Sequence, residues 1–154
     1  MKKTKAEKKK VKVCFPADLL FTSGIREFFY FFTNNLSRFS EKWAFRFQTV
    51  ADELCTNAIE HGSQSKDLIW CEFITIPEKM VEIIVEDCGN GIKTSPQELE
   101  KFLQSQEKVS ICDIKGIRKR GLAHVVAKVM DKVTFKKSTK GGIYVCASKF
   151  FEKT

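Results

Sequence analysis

The sequence has no long apolar run and no pair of cysteines in a C-x-x-C arrangement. A membrane-spanning helix needs roughly 18 apolar residues in succession, and a secretory signal needs an apolar stretch after its N-terminal charges. We therefore expect neither. Isolated cysteines, several of them on predicted core faces, favour reduced thiols over a disulfide framework or a metal site, and so predict a cytoplasmic protein.

The net charge of +8 is concentrated near one end of the chain. Residues 1–10, MKKTKAEKKK, carry six lysines and one glutamate, or +5, which leaves 8 − 5 = +3 for the remaining residues. We expect residues 1–10 to form a flexible basic leader and residues 11–154 to form one domain of common size. Binding of nucleic acid by the leader is a minor alternative, because a solvated tail explains the same charge.

The hydrophobic pattern predicts an α+β fold. Alternation predicts strands over 11–18, 68–76 and 80–87, and a final hairpin with arms over 132–137 and 143–151. Apolar residues at helical spacing predict a first helix rich in phenylalanine, a second from about Ser40 to His61, a third that Ser95 and Glu98 cap, and a last one over 121–131. This order predicts two layers, a mixed sheet with helices on one face. The fourteen phenylalanines indicate a core filled largely by that residue.

The second predicted helix carries an unusual polar stripe. In ADELCTNAIEHG, residues 51–62, the spacing of four places Glu53, Asn57 and His61 on one face, next to the buried stripe. A solvated face explains the stripe without any function. The functional interpretation is the lip of a pocket, with a carboxylate that accepts a proton and an amide oxygen that holds a metal.

The end of the third predicted strand, VEIIVEDCGNGI, places a carboxylate on a buried row. Asp87 has the same parity as the apolar residues before it, so it faces the core. A buried carboxylate needs hydrogen-bond donors, and the exocyclic amine of a base such as adenine is one. Gly89 and Gly91 follow, and glycine lets the backbone turn sharply against a flat ligand. An ordinary turn after a strand is the alternative.

The stretch KGIRKRGLAHVV combines basic residues with a predicted helix start. Lys115, Arg118, Lys119 and Arg120 precede Gly121. The N-terminus of a helix has free N–H groups and a positive dipole end, so it can bind phosphates. An ordinary charged loop without a ligand would show the same sequence pattern. The chain has neither a P-loop nor the HRD and DFG motifs of eukaryotic-type kinases.

Taken in order, ExxxNAxxH on a helix, DxGxGI after a strand, and GL at the start of a later helix resemble the GHKL ATPase superfamily, which shares the Bergerat, or histidine-kinase-like, ATP-binding fold. The resemblance extends from about residue 11 to residue 151. Within the superfamily the chain is most similar to bacterial anti-sigma-factor serine kinases of the RsbW and SpoIIAB type, since the CFPAD opening and the GIYVCASKFF close also fit that group.

The resemblance implies ATP and Mg²⁺ as cofactors and assigns roles to individual residues. Glu53 would be the catalytic base, and Asn57 would ligate Mg²⁺ through its side-chain oxygen. Asp87 would accept the adenine amine, residues 93–120 would form the ATP lid, and His61 would hold the helix end. The remaining nucleotide-binding positions implied are Gly89, Gly91, Ile92, Arg118, Lys119, Arg120, Gly121 and Leu122.

Two departures from the family pattern concern the nucleotide. The glycine motif before the last helix is reduced to Lys119-Arg120-Gly121-Leu122, so side-chain charge would contribute more to phosphate binding than backbone. The final strand carries Tyr144 where the family often has a threonine near adenine, so this ring either changes how the base sits or points elsewhere.

The same resemblance implies protein partners: a sigma factor, an anti-anti-sigma protein of the STAS type that is phosphorylated on serine, and a possible homodimer. Two other functions stay open. One is an ATP-dependent conformational binding module without phosphotransfer. The other is a stand-alone histidine-kinase-type catalytic domain, for which the phosphoacceptor would lie on another protein, because His61 and His124 both fall inside the predicted domain.

Overall fold

The computed structural model describes residues 6–91, 94–105 and 125–152. A five-stranded sheet carries the described helices on one face, which confirms the predicted α+β, two-layer architecture. The elements in chain order are β1 (Lys9–Pro16), a single 3-10 turn (Leu19–Phe21), α1 (Thr22–Leu36), α2 (Glu41–Glu60), β2 (Leu68–Ile76), β3 (Met80–Glu86), α3 (Pro96–Ser105), α4 (Ala127–Val129), β4 (Lys132–Lys137) and β5 (Ile143–Phe150).

The sheet has the strand order β1-β2-β3-β5-β4, and each adjacent pair is antiparallel. The prediction of a mixed sheet was therefore wrong. The reason lies in the connection between β1 and β2, which contains two helices. A single helix carries the chain to the opposite end of a sheet and gives a parallel neighbour, whereas a helical pair returns it to the end that it left.

Phenylalanine dominates the core between the layers, as predicted. Phe29 of α1 stacks on Phe73 of β2 with ring centroids 4.7 Å apart, and Phe47 of α2 lies 6.4 Å from Phe29. All three rings are fully buried. Aromatic pairs at these separations add to the stabilisation that comes from burial alone. The phenylalanine cluster therefore fixes α1 and α2 against the sheet.

Local signals placed most elements within two residues. Both arms of the final hairpin and β2 were predicted to within one residue, and the capping box is present: Ser95 N donates to Glu98 Oε2 (2.8 Å), while Glu98 N donates to Ser95 Oγ (3.2 Å). Strand β1 begins at Lys9, inside the predicted leader. Most of the predicted last helix lies outside the described residues, and its described end is Val129.

The functional residues gather at one end of the sheet. Strand pairing places four strand termini at this same end of the sheet: the end of β1, the start of β2, the end of β3 and the start of β5. Helix α2 also ends there. Within the described ranges no helix combines the length and apolar character needed to cross a membrane.

Candidate nucleotide site

The polar stripe of α2 forms a connected pair. Asn57 Nδ2 donates a hydrogen bond of 2.9 Å to Glu53 Oε1, one helical turn earlier. Asn57 is only 6% exposed, whereas Glu53 is half-buried. Because the amide nitrogen turns towards Glu53, Oδ1 is the Asn57 atom that could ligate a cation. The pair thus presents a carboxylate and an amide oxygen side by side.

Burial raises the pKa of Glu53 above its ordinary value, and the hydrogen bond from Asn57 opposes part of this effect. The charges of Asp52 and Glu60 raise it further. A carboxylate with a raised pKa is a stronger base than one in water, so it is better matched to removing a proton from a hydroxyl group near neutral pH.

Asp87 directly follows β3 and is 3% exposed, as its parity with the buried residues of that strand predicted. Its Oδ1 accepts hydrogen bonds from Gly89 N (3.0 Å) and Ile143 N (3.1 Å), and its own N–H donates to Ile143 O (3.2 Å). These bonds join the turn after β3 to the start of β5. These bonds therefore hold the buried carboxylate in a fixed position at the end of the central strand β3.

Glycines let the backbone approach this carboxylate from two sides. A Cβ added to Gly62, at the end of α2, would overlap Asp87 Oδ2, and one added to Gly142 would overlap Asp87 Oδ1. Gly91 fits just as closely against His61 O, and Gly89 has φ +72°, a conformation that favours glycine. Four glycines from three segments thus surround the end of α2 and Asp87.

An open cavity of about 870 Å³ lies beside Asp87. It is large enough for a nucleotide-sized ligand. Lys136 and Lys137 of β4 both lie along its wall, but the Nζ of Lys136 lies over the ring of Tyr144, so Lys137 is the lysine available to contribute positive charge. The described lining residues come from the end of α2, the turn after β3, the start of α3 and the β4–β5 hairpin: Gly62, Asp87, Gly89, Thr94, Ser95, Pro96, Gln97, Glu98, Phe135, Lys136, Lys137, Gly141, Gly142 and Ile143.

A much smaller crevice, about 10 Å³, connects Asp87 with Asn57. That volume holds about one water molecule. Leu99 of α3 lines the crevice and is 2% exposed. The other lining residues belong to α2, to the strands and to Asp87 at the end of β3. A ligand larger than a water molecule can therefore enter this crevice only if its lining, Leu99 included, moves.

A family model for the histidine kinase-like ATPase domain matches residues 15–149. The chain belongs to the histidine kinase-like ATPase domain family. This match confirms the superfamily expected from the motifs and indicates an ATP-binding, kinase-like ATPase function. No curated protein matches the chain at a significant level.

The residues of this ATPase domain fit an adenine nucleotide. The buried Asp87 carboxylate is an acceptor for an amine, the surrounding glycines leave room for close contact with a flat ring, and the adjoining cavity has enough volume for a nucleotide. Mg²⁺ would be held differently. Within the described ranges no cluster of three or more His, Cys, Asp or Glu side chains is placed to bind a metal, so Asn57 would share the ion with phosphate oxygens.

The structure brings five of the residues predicted from sequence into one region: Glu53, Asn57, Asp87, Gly89 and Gly91. The other predicted nucleotide contacts lie outside the described residues, namely Ile92, Arg118, Lys119, Arg120, Gly121 and Leu122. For the described part of the predicted lid, α3 packs against the body of the ATPase domain through Leu99.

Tyr144 lines neither the cavity nor the crevice beside Asp87. It follows Ile143, which faces the cavity, and the alternation of β5 turns its side chain to the opposite face of the sheet. There Lys136 Nζ lies 5.9 Å from the ring centroid, and burial raises the pKa of Tyr144 to about 12. The ring therefore points elsewhere, and Ile143 occupies the inward position.

Sequence reasoning missed three features of this site. Gly62 directly follows the second predicted helix and Gly142 lies in the loop of the predicted hairpin, yet both approach the Asp87 carboxylate. Nothing in the sequence singles out Leu99, which the fold brings to the same crevice as Asn57. Both glycines are visible in the sequence, but only the pairing of β3 with β5 brings Gly142 to the Asp87 carboxylate, and only the packing of α2 against β3 brings Gly62 there.

Proposed function

We propose that this ATPase domain is a serine-protein kinase of the anti-sigma-factor type, which transfers the γ-phosphate of Mg-ATP to a serine of an anti-anti-sigma partner and holds a sigma factor inactive. The observation that carries the proposal is the Glu53–Asn57 pair. A half-buried carboxylate with a raised pKa lies one helical turn from the amide that would hold the cation. A protein that only bound ATP would have no need of such a base.

Each residue of the site has a task in this reaction. Bound Mg-ATP supplies the phosphoryl group and neutralises its charge. Glu53 accepts the proton of the serine hydroxyl as that oxygen forms its bond to phosphorus, and the bond from phosphorus to the oxygen of ADP breaks, so that ADP carries away the leaving electron pair. Asn57 Oδ1 would hold the cation, and Asn57 lies one helical turn from Glu53.

Asp87 supports adenine as the preferred base. Its Oδ1 already accepts two backbone hydrogen bonds, which fixes the carboxylate as an acceptor. The exocyclic amine of adenine donates to such a group, whereas guanine presents a carbonyl oxygen at the equivalent ring position and would leave the buried acid facing an acceptor. We therefore expect ATP to bind in preference to GTP.

The test is incubation with γ-labelled ATP, Mg²⁺ and a STAS-type anti-anti-sigma protein. We expect label on a serine of that protein with the wild-type chain, little with Glu53→Gln, and none above background with Asn57→Ala. Phosphate on serine is stable in acid, whereas phosphate on histidine is not, so acid treatment separates the serine kinase from a histidine-kinase-type catalytic domain. ATP binding without label on any partner would contradict the kinase proposal.

Leu99 favours one alternative, an ATP-dependent conformational binding module. Because Leu99 forms one wall of the narrow crevice between Asn57 and Asp87, we expect α3 to move when a nucleotide binds both residues through that crevice. Such a module would change its affinity for a protein partner when ATP binds, and Glu53→Gln would leave that change intact. A kinase would lose phosphotransfer in the same variant.

A further inference from the structure

Apolar side chains that the core covers only in part lie on α1 and its preceding turn, near the edge strand β1. Phe21 and Phe28 are spaced seven apart, so they lie one above the other on α1 and its preceding turn. Phe21 approaches Phe15 of β1 (ring centroids 6.1 Å apart), and Phe28 approaches Phe73, which pairs with Val11 of β1. The row therefore runs along β1.

Phe31, three residues after Phe28, adjoins it on the surface of α1, although its ring contacts Tyr30 and not β1. We define Phe21, Phe28 and Phe31 together as the phenylalanine row, which is partly exposed. Phe31 is 58% exposed, and the neighbouring Leu20 is 83% exposed. Large apolar side chains gathered on one surface of a soluble protein commonly mark a site of protein contact. Beneath them, Val11 and Val13 of β1 pack against the core but are only half-buried.

Strand β1 also offers an unpaired backbone edge. It is the first strand in the sheet order, so only β2 pairs with it in the described part of the chain. An extended peptide can add to such an edge through main-chain hydrogen bonds, with alternate side chains directed to the two faces. On the inner face those side chains would meet the phenylalanine row.

The outer face of β1 is positively charged. Lys10 and Lys12 both form ion pairs with Glu72, at 2.5 and 3.1 Å, so two ammonium groups share one carboxylate. Residues 1–12 contain seven lysines and one glutamate, or 7 − 1 = +6. A strand that added to this edge would gain from acidic residues on its outer face.

The same charges disfavour a second copy of this chain as the occupant. In an antiparallel pairing of two β1 strands centred on Val11, Lys10 of one chain would lie opposite Lys12 of the other. Like charges directly opposite each other destabilise a strand pair. The edge thus favours a partner of opposite charge.

We propose that β1 and the phenylalanine row form a docking site for an acidic, extended segment of another protein, with apolar residues facing α1 and acidic residues facing the lysines. The opposite edge, β4, is basic as well, but α3 packs beside it and Phe135, its inward residue, is buried. Charge and an exposed apolar row occur together only at β1 among the described strands.

The probe is a fluorescent ten-residue peptide that alternates valine and glutamate, and its binding is followed by anisotropy. We expect binding that weakens as salt increases, because ion pairs contribute. A peptide with lysine at every glutamate position should not bind. A peptide with proline at two central positions should also fail, because it cannot form the main-chain ladder.

Variants of the chain locate the site. Phe31→Ser and Lys12→Gln should each weaken binding, the former by about tenfold, as expected when a large apolar contact is removed. The matched controls are Phe150→Ser, on the outer face of β5, and Lys132→Gln, on β4, which should leave the affinity unchanged. Phe21→Ser provides a second test of the row, and thermal melting of each variant verifies folding.

Several results would overturn the proposal. Absence of binding by the acidic peptide would do so, as would equal binding by the lysine or proline peptide, or equal weakening in the control variants. Concentration-dependent dimerisation in sedimentation experiments that Phe31→Ser abolishes would assign the surface to a second copy. Binding of single-stranded DNA that Lys12→Gln weakens, without binding of the peptide, would assign the charge to nucleic acid.

Discussion

Gly142 lies so close to Asp87 that a side chain at position 142 would overlap the carboxylate oxygen Oδ1. The same oxygen accepts the N–H of the next residue, Ile143. The close approach of the β4–β5 hairpin therefore holds the acid in position. Any methyl group at position 142 must displace either the carboxylate or the hairpin.

Gly142→Ala should accordingly weaken ATP binding by more than about tenfold and cost about 1–3 kcal/mol of stability, as overpacking does. The matched control is Gly24→Ala in α1, where an added Cβ meets nothing within 4 Å; this change should leave ATP binding intact and stabilise the helix slightly. Calorimetric titration with ATP and thermal unfolding measure the two effects. Equal ATP affinity in Gly142→Ala and Gly24→Ala would contradict the placement of adenine beside Asp87.

Asn57→Ala should remove the contribution of Mg²⁺ to nucleotide binding. Because Asn57 offers its Oδ1 to the cation, the variant should bind ATP equally with and without Mg²⁺, whereas the wild-type chain should bind more tightly with it, by about tenfold. Titrations with and without the ion test this. A Mg²⁺ effect of unchanged size in the variant would remove Asn57 as a ligand.

Glu53→Gln should retain ATP binding and reduce phosphotransfer by at least about a hundredfold, since glutamine keeps the shape and the acceptor for Asn57 but cannot accept a proton. Glu41→Gln is the control, because Glu41 lies on the same helix, is exposed and is not among the charges that raise the pKa of Glu53. Initial rates with labelled ATP measure the effect. Similar rates in the two variants would exclude Glu53 as the base.

The raised pKa of Glu53 also predicts a pH dependence of stability. The folded chain holds this proton more tightly than the unfolded chain, so the associated stability is fully present below the unfolded value of 4.5 and is lost as pH rises through the folded pKa. Above that range the ionised, partly desolvated carboxylate makes the wild-type chain less stable than Glu53→Gln. Denaturant titrations of the wild-type chain and Glu53→Gln from pH 4 to 8 measure the difference in their free energies of unfolding. A loss of stability by Glu53→Gln relative to the wild-type chain as pH rises would contradict the prediction.

Leu99→Ala should open the crevice between Asn57 and Asp87. The variant should lose about 2–5 kcal/mol of stability, as expected for a buried leucine. It should also bind ATP more tightly, by up to about tenfold, because less packing is disrupted when α3 moves. Leu103→Ala, on the same helix and half-buried, controls for general loosening of α3. Weaker ATP binding in Leu99→Ala would show that Leu99 contacts the nucleotide instead of excluding it.

The strands and helices were predictable because their signals are local. Alternation in KVTFKK sufficed to place β4, and Ser95 with Glu98 sufficed to predict the start of α3, since a capping box needs only four residues. The relative direction of neighbouring strands, in contrast, is not set by a local signal. The mixed sheet was a wrong prediction because parallel or antiparallel pairing depends on where the helical connections return the chain.

By itself, the sequence determined the chemistry of the site: the carboxylate and amide one helical turn apart on α2, the buried parity of Asp87, and the glycines that follow it. Only the tertiary structure decided which other groups meet them. Pairing of β3 with β5 brings Gly142 and the Ile143 N–H to Asp87, and packing of α3 places Leu99 in the same crevice as Asn57. These contacts join residues more than 40 positions apart, where no sequence period can report them.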